Sequence, residues 1–509
     1  MRAPLRKEGE IRIIYPLIMK EKIVGFIESH KVISLIVFSL FFAFIVIMVS
    51  SQITSFLFPR FSLAQYYNDS SIFYVMGKSM AEGRTPYIEI YDHKGLYIFY
   101  YTAISGVLGR TGLFFFQVLI MSVNFAFLIL AMREFKARYL TILWALMLFG
   151  GLYCAFGQAP ADADLEMPFM AMMIYFYARG FVRESDNDFM IGNIFAGIVA
   201  GIALNLRMTD AMVALAFVIY YALRCIRQRK WKILLRDALL CIGGLLLMCL
   251  PPFIHAFAGG FFKQMADAAF LANFRYVGKV NKYDMLPISL MAIFGFTVTT
   301  ILLLIFKRKT LKIEYMAFVV ITLAIIFLIQ IVIVNFPHYL IVTFDYFVVI
   351  IPLLASLYIP VKEKDIPRKA ATGILALAFI AACGTNFLVC FNRYEEERRT
   401  TDYILSSINE NDKDGHIICI DVTPAYYLQL GAKIGYPDFA CQGNHMPIAS
   451  DFSRDKFLVY LASEECHFVI AEKNNEMVKK CLEDSLANYE EVIKEGYDKI
   501  PISLYRHII

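Results

Sequence analysis

The chain has 509 residues, 59% of them hydrophobic and 18% charged, with a formal net charge of +5. A soluble domain is about half apolar and about a quarter charged. The composition therefore excludes an ordinary soluble globular protein and predicts a polytopic α-helical membrane protein.

The first apolar run, "VISLIVFSLFFAFIVIMV", follows about thirty mostly amphipathic residues that carry no small-residue cleavage site. It reads as a retained span rather than a secretory leader. Directly after it stands a dense polar stretch, "YYNDSSIFYVMGKSMAEGRTPYIEIYDHKGLYIFYY", residues 66–101. Asp69 opens a helical pattern carried by Ile72, Val75, Met76 and Met80. An Asp in that place is either an N-cap or a general base that takes a proton from a hydroxyl. Asp92, His93 and Lys94 then stand in a row before Gly95, which permits a tight turn or a close backbone approach. His93 and Lys94 suit an anionic phosphate at the membrane surface; plain anchoring by Lys and Tyr is the alternative. Residues 96–109, "LYIFYYTAISGVLG", read as a helix lying at the interface, and Arg110 follows it.

A membrane-spanning helix needs about 20 residues. Runs of that order occur near 32–57, 113–131, 139–157, 167–182, 190–206, 211–226, 237–257, 286–306, 313–335, 340–360 and 369–391, which makes about 11 transmembrane helices. The polar segments between them carry the remaining candidates. "APADADLEMP" holds Asp162, Asp164 and Glu166 just before a span. If that turn is helical, Asp162 and Glu166 share a face. Such acids either sit in the field of the helix dipole, or bind sugar hydroxyls, or hold a divalent cation through oxygen. Arg207 and Asp210 are spaced as an ion pair, and Arg207 could instead grip a phosphate. The segment 258–285, with Lys263, Arg275 and Lys279, has the cast of an interfacial helix. "NFPHYLI" puts His338 and Tyr339 in a short turn, where His338 is either an interfacial hydrogen bonder or a further phosphate ligand.

Lys and Arg collect on the cytoplasmic side of membrane proteins. The clusters "REFKAR" (133–138), "RCIRQRKWK" (224–232), "KRKTLK" (307–312) and "VKEKDIPRK" (361–369) all fall there if the N-terminus is cytoplasmic and 96–109 does not cross. "RESDND" (183–188) is an exception, an inner loop without positive excess. The same count places the polar stretch 58–112 and every candidate above on the outer face. Residues 1–391 then form the membrane domain and 392–509 an extracytoplasmic α/β domain. That tail carries 13 Lys+Arg against 21 Asp+Glu, as an inside-positive protein requires. Within it "HIICIDV" and "HFVIAEK" read as strands, and "TDYILSSIN", "RDKFLVYLAS" and "NEMVKKCLEDSLANY" as helices. The ten Cys include no CxxC pair. Cys419, Cys441, Cys466 and Cys481 could form disulfides only if the tail is extracytoplasmic.

An Asp soon after the first span, the ending "PYIEIYDHKGLYIFYY", an interfacial helix ending "GR", an acidic second loop and an external tail together resemble the GT-C superfamily of polyprenyl-phosphate-dependent glycosyltransferases. The nearest branch holds the protein O-mannosyltransferases and the lipid A aminoarabinose transferase. Members often end the first loop in "DHKGP"; here Leu96 replaces the Pro. The resemblance implies a plasma-membrane enzyme that moves a sugar from a polyprenyl-phosphate donor, with inversion, to a glycan, lipid or protein acceptor outside the cell. It implies Asp69 as catalytic base and one of Asp162, Asp164 and Glu166 as the second-loop acid. "ND" at 68–69 stands where the protein mannosyltransferases have two adjacent acids, so their acceptor preference does not carry over. Membrane lipids are implied as partners and nucleic acid is not; no cofactor is required beyond a possible divalent cation. The rival readings are a flippase for lipid-linked glycans, which needs ionisable groups at mid-bilayer and often related halves, and a non-catalytic scaffold. Asp345 lies only a few residues into its span, and no repeat is visible.

Overall fold

In hydrocarbon every backbone N–H and C=O must find a partner within the chain, and a helix supplies all of them locally. The computed structural model describes residues 29–50, 69–156, 162–272, 286–307, 311–333, 340–356, 366–408, 416–420, 422–437, 454–473, 488–497 and 500–508. In order, the helices of the membrane part are α1 (Lys31–Ser50), α2 (Asp69–Ala81), α3 (Leu96–Glu134), α4 (Tyr139–Phe156), α5 (Met167–Arg183), α6 (Asp186–Leu204) and α7 (Met212–Arg227). There follow α8 (Trp231–Ala258), the short α9 (Phe262–Ala266), α10 (Leu286–Lys307), α11 (Ile313–Ile333), α12 (Ile341–Ser356) and α13 (Ile366–Ser407). A helix stands within each apolar run read from the sequence, and among the described residues six are long and apolar enough to cross a membrane. The chain is thus a multi-pass membrane protein.

Two glycine features set the packing. Gly197 and Gly201, one turn apart on α6, lie against the backbone of α8 at Cys241 and Leu245, where a Cβ would collide. Small residues at this spacing let two membrane helices approach closely. Gly109 breaks α3 with φ 72° and ψ 178°, an excursion open to Gly at low cost. The break separates 96–109, which packs along α2, from the candidate span Thr111–Glu134.

The loops rich in Lys and Arg share one end of the bundle. Arg183 pairs with Glu134 at 2.7 Å, Lys230 with Asp186 at 2.8 Å, Arg227 with Glu314 and Lys312 with Glu184 at 3.2 Å each. Trp144 Nε1 donates to Thr372 Oγ1 at 2.8 Å, which brings the start of α13 to the same end. These pairs also explain "RESDND": its Glu184 and Asp186 answer cations of neighbouring loops. At the other end, residues 258–272 turn through α9 and a π-helical segment, Asp267–Leu271; Arg275 and Lys279 lie outside the described residues.

α13 continues past residue 391 as one helix to Ser407 before the chain changes character. There follow β1 (Ile417–Ile420), α14 (Ala425–Leu430), α15 (Arg454–Leu461), β2 (Phe468–Glu472), β3 (Tyr489–Glu491) and β4 (Ile502–His507). The sheet order is β1-β2-β4-β3, with β1 parallel to β2 and the other pairs antiparallel. Both strands read from the sequence are present. The helix read over "NEMVKKCLEDSLANY" falls almost wholly outside the described residues. Cys419 and Cys466 are buried free thiols in the core of the sheet; Cys441 and Cys481 lie outside the described residues.

Candidate active site

The end of the bundle opposite the basic loops is built around the turn Asp92–Gly95. Lys94 N donates to Asp92 Oδ1 at 2.8 Å, closing an Asx-type turn. His93 Nδ1 lies 3.8 Å from the same oxygen. Tyr87 Oη donates to Lys94 O at 2.9 Å. Burial, reinforced by the Asp92 charge, pushes the Tyr87 phenol well above its ordinary range, so it remains a donor. The side chains of Asp92, His93 and Lys94 are all buried, which is not how plain surface anchors sit.

Gly95 fixes this turn against the loop after α6. Gly95 N donates to Leu206 O at 3.3 Å and Tyr97 N to Asn205 O at 3.1 Å. No side chain caps α3; carbonyls of a segment more than a hundred residues away satisfy its first N–H groups. A Cβ on residue 95 would overlap the Asn205 backbone. α8 braces the same turn. Pro252 has no N–H for the carbonyl four residues back, and that freed carbonyl, Met248 O, accepts from Tyr97 Oη at 2.6 Å. One turn on, Tyr100 Oη and His255 Nδ1 share a 2.7 Å bond.

Two residues beyond Asn205 stands Arg207, buried with Asp210 and bonded to its Oδ1 through Nε at 2.7 Å. The expected ion pair therefore forms, within the same cluster as Lys94. α2 runs alongside the first part of α3 in the same sense, Gly77 meeting Thr102 and Ala81 meeting Gly106. Lys94 Nζ lies 5.1 Å from the centre of the Phe73 ring, one turn after Asp69. The N-terminus of α3 at Leu96 and the first described turn of α2 thus lie in one region with Lys94 and the loop that carries Arg207.

The second acidic loop folds as a 3-10 turn, Asp162–Leu165. Its period of about three residues replaces the α-helical face that would pair Asp162 with Glu166. Asp164 is buried and accepts from Tyr153 Oη at 2.5 Å, Tyr101 Oη at 3.3 Å and Gln117 Nε2 at 3.5 Å. It ties α3, α4 and the turn together. Glu166 is buried beside it at the start of α5. Among the described residues no three carboxylate, His or Cys side chains come together as a metal site.

Asp69, Arg110 and Asp162 are described by their backbone alone. Arg110 directly follows the Gly109 break in α3. His338 and Tyr339 lie outside the described residues. Sequence reading missed two parts of this end. Ser71 Oγ shares a 3.0 Å bond with Thr423 Oγ1, and Tyr91 N donates to Pro437 O at 2.8 Å. The sheet-bearing tail therefore packs on α2 and the Asp92 turn through short polar segments with no motif of their own.

A buried turn that holds Lys94 beside the start of α3 and the loop of Arg207, at one end of a multi-pass bundle, has the cations and backbone N–H groups that an anionic group would need. Residues 96–255 match the family model described as dolichyl-phosphate-mannose-protein mannosyltransferase, a family of the GT-C superfamily of glycosyltransferases. The match begins at the residue after Gly95 and ends at His255, so it spans the turn with Asp164, the loop with Arg207 and the brace on α8. No curated protein matches the chain.

Proposed function

We propose that the protein is an inverting glycosyltransferase that takes a sugar from a polyprenyl-phosphate donor and delivers it to an extracytoplasmic glycan, lipid or protein acceptor. About eleven helices cross the plasma membrane, the N-terminus is cytoplasmic, and residues 392–509 form an extracytoplasmic domain over the site. One observation carries this reading. Segments from three distant parts of the chain, the start of α2, the Asp92–Gly95 turn and the Asn205–Asp210 loop, meet opposite the basic loops, and the last of them lies within the residues that match a glycosyltransferase family.

The roles follow from charge. The prenyl chain lies in lipid, and its sugar phosphate reaches the surface at the cluster. Lys94, His93 and Arg207, with the dipoles of α2 and α3, hold the phosphate and stabilise the charge that grows on it. Asp69, in the first turn of α2, accepts the proton of the acceptor hydroxyl. The acceptor oxygen attacks the anomeric carbon from the face opposite the phosphate. The bond from that carbon to the phosphate oxygen breaks, and both its electrons leave with the prenyl phosphate. Asp92 orients Lys94 through its backbone bond. Asp164 acts as the second-loop acid by holding Tyr101 and Tyr153 in place. No step is routed through a cation.

Mass spectrometry of cell-envelope glycans tests the reading. A modification present with the wild-type chain should vanish when the gene is removed and stay absent when Asp69→Asn is supplied instead. An envelope unchanged by removal refutes sugar transfer, and a modification restored by Asp69→Asn refutes the role of Asp69.

A further inference from the structure

At the end of the bundle away from the proposed active site lies a cavity of about 490 Å³ between α4, α5, α7, α11 and α12. That volume is typical of a small-molecule site. Its walls are mostly apolar and aromatic, among them Trp144, Tyr177, Phe181, Phe217 and Phe318. Lys136 and Arg138, both exposed, belong to the same lining, so the cavity reaches the surface at the loop between α3 and α4.

These two cations stand at the mouth of the cavity itself. Arg183, Arg227, Lys230 and Lys312 at this end each hold a carboxylate. Among the described residues Lys136 and Arg138 hold none. Lys136 also sits at φ 56°, a left-handed conformation that a non-glycine residue rarely takes. The turn is held there by Lys136 N donating to Arg133 O and Ala137 N to Met132 O. An unfilled apolar cavity of this size is costly in a packed core, and an acyl chain is the apolar filler that a bilayer supplies. A basic mouth above an apolar chamber matches a lipid with an anionic headgroup.

We infer that this cavity is a binding site for an anionic phospholipid of the leaflet that meets the basic loops. One acyl chain fills the aromatic chamber, and the headgroup phosphate lies on Lys136 and Arg138. The proposal does not depend on the transfer chemistry. It concerns the opposite end of the bundle, and its test reads lipid retention, not product.

Purified full-length chain is delipidated and presented with phosphatidylglycerol, phosphatidylcholine or undecaprenyl phosphate, and retained lipid is measured by native mass spectrometry. Wild-type chain should keep phosphatidylglycerol over phosphatidylcholine. Lys136→Gln with Arg138→Gln should lower phosphatidylglycerol retention about tenfold or more, since each basic residue near an anionic surface contributes about a factor of five. Ala178→Leu, on the cavity wall, should reduce retention of both phospholipids. Should that variant fail to fold, the exposed double variant still decides the matter. Equal retention of the two phospholipids, or a preference untouched by the double variant, overturns the proposal. So does displacement of phosphatidylglycerol from this site by undecaprenyl phosphate, which would make the cavity part of a donor path.

Discussion

Gly95→Ala is the sharpest structural test of the active-site assembly. The added methyl group meets the backbone of Asn205, in the loop after α6, which unlike a side-chain tip cannot simply swing away. The Asp92–Gly95 turn must therefore move off the Asn205–Arg207 loop. Two buried N–H groups, those of Gly95 and Tyr97, then lose their carbonyls. An orphaned buried donor costs about 1–3 kcal/mol, so the two together cost about 2–4 kcal/mol at partial relaxation. Lys94 and Arg207 separate by the same shift, and a displacement near 1 Å in a catalytic constellation costs on the order of 100-fold in rate. The assay is transfer by purified enzyme alongside thermal unfolding in the same detergent. The variant should remain assembled, melt earlier and lose about two decades of transfer. Wild-type transfer with an unchanged melting temperature would refute the reasoning, because the two segments would then not need their contact.

Tyr153→Phe removes the closest donor from buried Asp164 and should destabilise the fold by about 1.5–3 kcal/mol, read by chemical denaturation. Asp345 is buried in α12 and accepts from Asn124 Nδ2 at 3.0 Å. Asp345→Asn should leave transfer and melting near wild type, as the flippase reading would not allow, whereas Asp345→Leu strands Asn124 at roughly 1–3 kcal/mol. Burial raises the thiol of Cys466 to about 11 and pushes that of Cys419 upward as well. Both should resist alkylation at pH 8 until denaturant is added. Because the folded state holds these protons more tightly, their contribution is intact below the ordinary thiol value of 9.0 and declines as pH rises from there toward 11, which melting curves across pH 8–11 will show.

Much of this architecture was open to reading because the bilayer imposes simple rules. Apolar runs became helices, and the clustering of Lys and Arg sorted the loops onto one end without reference to the candidates at the other. The "DHKG" turn stood out as a candidate, since it sets three ionisable residues before a glycine in an oily chain. Its mechanics were not. That Gly95 meets Asn205, and that Pro252 frees a carbonyl for Tyr97, are contacts between segments about 110 and 155 residues apart, and no local pattern reports them. The spacing of Gly197 and Gly201 was a visible signal of close helix packing that went unused. Asp164 could not be told from Asp162 and Glu166 because its distinction lies in its partners, Tyr101, Gln117 and Tyr153. β3 escaped notice because it is three residues long and two of them are exposed Glu, and β4 because its buried half gives way to Arg506 and His507.

The most direct measurement uses purified wild-type chain and Asp69→Asn with a radiolabelled sugar on undecaprenyl phosphate and an envelope extract as acceptor. Wild-type enzyme should release undecaprenyl phosphate in step with labelled product. Asp69→Asn should retain the donor yet lose transfer by about 100-fold to 10,000-fold, the range for removing a general base. Undiminished transfer by Asp69→Asn, or no transfer by the wild-type chain from any polyprenyl-phosphate sugar, would contradict the account.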